Sequence, residues 1–196
     1  IIDIESNTMG LIDKGIDFLK AYEMLNENQF LAITKIARKQ NLKVTGHIPL
    51  SMNLFSAVNS GLNGMEHLRN LELSIASNAE ELYEERIQML KNPNGLLGST
   101  LRSSIHSKQR MSAIDSVDNN KFEEAANLLA SKNVWQTPTL ILYRSYAQKS
   151  HLNPSFLLEL NKLPQQVKQK WSNEIAASDT IIDKSNSTML SDYLKS

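Results

Sequence analysis

Three side chains of this sequence could do metal chemistry, and each stands at the end of a short apolar run: Lys20 in "GIDFLKAY", His47 in "LKVTGHIP" and His67 in "NGMEHL". Neutral imidazole is a good ligand for zinc and related ions. Histidine is not a favoured strand residue, and in "VTGHIPLS" (44–51) a proline two positions later stops the strand by removing a backbone donor. A histidine at such a tip has either a packing role or a chemical one. Taken singly, a strand-end histidine is ordinarily a hydrogen-bonded structural residue and a strand-end lysine is ordinarily solvated. Taken together, the three lie 27 and 20 residues apart. A (β/α)8 barrel uses roughly 31 residues per strand–helix unit, and its C-terminal strand tips converge on one mouth. Compact units of that kind would bring the lysine and both histidines around one metal ion.

The elements that must position them alternate along the chain. Residues 15–22, 42–49, 63–68 and 133–143 are short, apolar and bounded by Gly, Asn or Pro, which predicts strands buried on both faces of a parallel sheet. "NQFLAITKIARKQN" predicts a helix capped by Asn28, with Phe30, Ile33 and Ala37 on one face. "SMNLFSAVNSG" predicts another, with Ser51 as N-cap and Gly61 at its end. The order strand, helix, strand, helix, strand implies an α/β fold with right-handed crossovers. Residues 74–132 then read as a helical insertion. It opens on a capping-box spacing at Ser77 and Glu80, turns at "KNPNG" and closes on a helix with Phe122, Ala125, Ala126 and Leu129 on one face. A strand through Thr137–Leu142 is expected to follow. The tail from Pro154 reads as helical, with Pro154 and Pro164 in first turns.

Composition narrows the function classes. The chain has 196 residues, 41% hydrophobic and 21% charged, which suits a single globular domain. Its formal net charge is zero, and no basic block is interleaved with aromatics, so neither nucleic acid nor an anionic membrane is favoured as a partner. No apolar run approaches the roughly 20 residues of a membrane span. The absence of cysteine excludes disulfides and thiolate ligands. The pattern fits a soluble protein and does not distinguish cytoplasm from periplasm.

The four strand-like segments, in this order and at these intervals, resemble signatures of the amidohydrolase superfamily, in its imidazolonepropionase-like and prolidase-like branch. The resemblance covers about residues 12–145. It implies that the segments are strands four to seven of a metal-dependent TIM-type (β/α)8 barrel. Lys20 then matches the fourth-strand lysine, often carboxylated to bridge two metals, and His47 and His67 match the histidine ligands of strands five and six. The implied cofactor is zinc, one or two divalent ions, acidifying water and polarising a scissile amide carbonyl. The implied substrate is a small amide, dipeptide-like or cyclic. The family's His-x-His motif does not occur here. Its strand-eight aspartate has no match either, because Asp179 and Asp183 lie in a helical-looking stretch. No catalytic base is therefore assigned in this chain, and the base is expected downstream.

Two function classes follow. The first is the central fragment of a metal-dependent C–N hydrolase, inactive by itself, holding metal weakly or not at all and with Lys20 as an unmodified amine. The opening "IIDIESNTMG", which lacks an initiator methionine and a signal-peptide pattern, fits that expectation of a fragment. The second is a non-catalytic α/β interaction module derived from such a barrel. Either would expose unpaired sheet edges, so self-association, or a repacking of the tail across the gap, is expected. Tyr22, on the Lys20 face of its strand, and Tyr143 and Arg144, after the last, could contact substrate, with packing or solvation as the alternative for each. His106 and His151 read as surface residues, and the stripe with Trp171 and Ile175 as core or a docking face.

Overall fold

The computed structural model describes residues 3–141 and 153–181, with side chains through residue 174. Two compact units divide the chain between Pro138 and Thr139. The first opens with helix α1 (Ile4–Ile12) and is α/β. Strands β1 (Phe18–Ala21), β2 (Lys43–Gly46), β3 (Leu62–Glu66) and β4 (Trp135–Thr137) form one sheet, all parallel and in sequential order. Helix α2 (Glu27–Lys39) connects β1 to β2, and α3 (Leu54–Ser60) connects β2 to β3.

Local chemistry sets the boundaries of these helices. Asn26, not Asn28, caps α2: its side chain accepts from the Gln29 N–H at 2.9 Å while Gln29 Oε1 accepts from the Asn26 N–H at 2.9 Å. That reciprocal box satisfies two otherwise orphaned donors, which Asn28 could not do from inside the turn. Asn53, not Ser51, caps α3 by accepting from the Ser56 N–H at 2.7 Å, whereas the Ser51 hydroxyl donates to the Leu25 carbonyl. Gly61 ends α3 as expected, at φ 117°, a left-handed conformation that costs glycine little.

The sheet is covered on one face. Leu19, Ala21, Val44 and Met65 pack with Phe30, Ala37, Leu54, Ala57 and Val58 into the main core. Side chains of the other parity include the exposed Phe18 and a Trp135 that is 80% exposed. The expected burial of both faces is therefore corrected: burial alternates along β1, a pattern hidden by the apolar "IDFL" run. The last strand is also shorter than expected. It ends at Thr137 because Pro138 offers no donor to a continuing ladder, and residues 140 and 141 have helical backbone.

The insertion is helical, as its spacing predicts. It comprises the end of α4 (Leu71–Ser74), then α5 (Ala79–Lys91), α6 (Gly98–Asp115) and α7 (Asn119–Ser131). Among the described residues, its β-pairing is one isolated bridge between Ala76 and Val117. That bridge displaces the expected capping box: the Ser77 N–H donates to the Ser116 carbonyl at 2.7 Å, and α5 starts after Asn78 without a side-chain cap. On α7, Ala125 is buried and Leu129 packs on the core, while Phe122 and Ala126 are exposed. In the second unit, α8 (Pro154–Asn161) carries proline at its first turn after an Asn153 cap, and α9 (Gln165–Ile181) starts directly after Pro164. Trp171 on α9 is 44% exposed. No helix among the described residues is long and apolar enough to cross a membrane.

Candidate metal centre

The tips of β1, β2 and β3 build the site. Lys20 pairs in register with Thr45, and Thr45 with Gly64, two residues before Glu66 on the same strand. Strand parity therefore points Lys20 and Glu66 to one face, where Lys20 Nζ lies 2.5 Å from Glu66 Oε2. Gly46 ends β2 at φ 119°, and a Cβ there would run into the Ala21 carbonyl oxygen. Only glycine lets the two backbones close in this way. The next residue, His47, donates its N–H to that same carbonyl at 3.1 Å.

His67 follows β3. Alternation would place the adjacent Glu66 and His67 on opposite sides of the sheet, but His67 adopts φ 63°, and Leu68 and Asn70 are also left-handed. Non-glycine residues hold such conformations at a cost of about 1–3 kcal/mol each. Here the left-handed turn carries the His67 ring back towards Glu66, with Nε2 at 3.7 Å from Oε2. A buried chain of hydrogen bonds fixes it. Asn70 donates to the Ile48 carbonyl at 2.9 Å and accepts from Arg86 Nη1 at 2.8 Å, while Arg86 Nε donates to Gln109 Oε1 at 2.8 Å. The insertion helices α5 and α6 thus hold the turns that carry both histidines.

His47 stacks on His67, with ring centroids 5.2 Å apart, and meets the edge of Tyr22 at 5.5 Å. It is 5% exposed, and both its ring nitrogens are buried without a hydrogen-bond partner among the described residues. Burial pushes its pKa down, and His67 and Arg69 add to that against the opposing pull of Glu23 and Glu66. The imidazole is thereby biased towards its neutral, ligating form. His47, Glu66 and His67 each present a ligand atom, all within 4.8 Å of one another. The donor set, two imidazoles and one carboxylate, is one that zinc accepts.

The structure thus brings Lys20, His47 and His67 to one mouth and adds Glu66, which alternation had assigned to the opposite face from His67. Tyr22 lies there too, half-exposed against His47, with its hydroxyl accepting from Arg102 Nη1 at 3.3 Å. Tyr143, Arg144 and His151 lie outside the described residues.

His106 is not a surface residue. It is 8% exposed, with Nε2 2.8 Å from Glu23 Oε2. Leu101, Ile105, Gln109 and Ala113 recur every fourth residue and are all buried, and His106 flanks that stripe. Its polar members conceal the pattern in the sequence. Glu23 itself is fully buried. Arg69 Nη1 and Arg102 Nη1 both donate to its Oε1, at 3.0 and 3.4 Å. Burial alone would raise the Glu23 pKa, but the His106 hydrogen bond and the nearby positive charges outweigh it and lower it to about 2. No local signal marks Glu23, because its partners lie 46 to 83 residues away.

No family model, curated protein or solved structure matches the chain.

Proposed function

We propose that this chain is the central part of a metal-dependent amidohydrolase. Its strands would be strands four to seven of a (β/α)8 barrel, and zinc would be held by His47, His67 and the Glu66 carboxylate. The single observation that carries the reading is His47: a buried imidazole with neither nitrogen hydrogen-bonded, facing another histidine and a carboxylate. Leaving a buried polar atom unmet costs about 1–3 kcal/mol, and metal ligation is the chemistry that meets it here. Sequential parallel strands with one open face support the barrel.

A bound divalent ion supplies Lewis acidity towards an amide carbonyl and towards water. The chain's own residues supply the rest. Burial favours the neutral form of His47, and Lys20 as an unmodified ammonium orients Glu66 through their ion pair. As a carbamate, Lys20 would instead be a further oxygen donor. Tyr22 forms the exposed wall beside His47. The reading requires two more histidines and a carboxylate base from outside residues 1–196, so turnover is tested on the longest natural form of the protein. That form should hold a divalent metal and hydrolyse members of a panel of dipeptides, N-acyl amino acids and cyclic amides. A metal-free form that hydrolyses none of them even after zinc is added would point instead to the non-catalytic module.

A further inference from the structure

We propose that Arg69 and Arg102 form an oxyanion-binding subsite beside the histidine pair, which selects ligands carrying a carboxylate or phosphate group. The choice of an amide-bearing ligand rests on the hydrolase reading; the subsite does not. Both guanidiniums donate through Nη1 to one oxygen of Glu23, so they are held side by side on a fully buried carboxylate. One carboxylate cannot balance two guanidiniums. The surplus positive charge sits where each arginine side chain remains about a quarter open, 27% for Arg69 and 23% for Arg102.

Each guanidinium has five N–H donors in a planar fork suited to an oxyanion. Arg69 spends one on Glu23, and Arg102 shares its Nη1 between Glu23 and the Tyr22 hydroxyl. Both Nε atoms are buried, and neither Nη2 is hydrogen-bonded among the described residues, so the donors left for a ligand lie on the Nη atoms. Glu66, also at the mouth, is paired with Lys20 and so does not offset that surplus. Position fits as well. Arg69 lies two residues past His67, and Arg102 donates to the hydroxyl of Tyr22, whose ring abuts His47. The insertion supplies one of the two cations, so α6 belongs to the site instead of merely covering it.

The probes are N-acetylglycine, its carboxamide and inorganic phosphate, titrated calorimetrically into the metal-free chain. N-acetylglycine should bind at least about tenfold more tightly than the carboxamide, because a charge-assisted bidentate pair is lost in the latter. Arg102→Gln and Arg69→Gln should each erase that preference, and Arg102→Lys should restore part of it, with urea unfolding confirming a folded chain in every case. Phosphate that competes with N-acetylglycine and binds more tightly assigns the same site to phosphorylated ligands; weaker competition assigns it to carboxylates. Equal binding of acid and amide, or folded Arg→Gln variants that keep the preference, would overturn the subsite. Since no arm uses metal or turnover, the subsite stands or falls apart from the hydrolase reading, which is sunk only if the longest natural form neither holds zinc nor turns over an amide.

Discussion

Glu23→Gln tests whether the buried carboxylate is the charged keystone of the mouth. The substitution keeps the side chain's shape but removes the charge that gathers Arg69, Arg102 and His106. The Glu23 pKa falls from the ordinary 4.5 to about 2, which corresponds to about 3 kcal/mol of preferential stabilisation of the ionised form. The breaking of buried ion pairs elsewhere costs about 3–5 kcal/mol. The partly open arginines place this case near the lower end. The variant should therefore lose about 3 kcal/mol at neutral pH, or about 6–12 °C in melting temperature for a chain of this size. The sign of the pH dependence follows from a folded pKa below the unfolded one. The contribution is complete above about pH 4.5 and declines as pH falls towards about 2, with about 2 kcal/mol gone by about pH 3. The gap between the parent chain and the variant should narrow from about 3 to about 1 kcal/mol between about pH 6 and about pH 3. Urea unfolding followed by far-ultraviolet circular dichroism reads it, since Trp135 is 80% exposed and a poor fluorescence reporter. A gap that stays constant across this range would refute an ionised Glu23 hub.

His47→Leu should leave the metal-free chain as stable as the parent or more so, because two unmet nitrogens worth about 1–3 kcal/mol each disappear. It should also abolish any rise in melting temperature on adding zinc; a clear loss of metal-free stability would mean that the imidazole is structural. Gly46→Ala should cost about 3 kcal/mol or more, since the new methyl meets the Ala21 carbonyl at a left-handed φ. Thermal unfolding checks it, and a loss under about 1 kcal/mol would show that the β1–β2 closure relaxes freely.

The sequence by itself determined the elements whose information is local. The hydrophobic runs, the Gly61 stop and the helical spacing of residues 74–132 each depend on neighbours within a few positions, and the parallel α/β order follows from their alternation. Strand tips also announced Lys20, His47 and His67, because a basic residue at the end of an apolar run is conspicuous in one dimension. Cap choice was less legible: Asn26 and Asn28 are both competent, and only the reciprocal bond with Gln29 decides between them. Tertiary structure alone decided the rest of the site. Glu66 joins His67 because a left-handed turn, held through Asn70 by Arg86, overrides strand alternation. Glu23 and His106 become a buried pair because α6 returns 83 residues later to lie against the β1 tip. A carboxylate's pKa and burial depend on which cations arrive beside it, and chain closure over such distances leaves no periodicity to read.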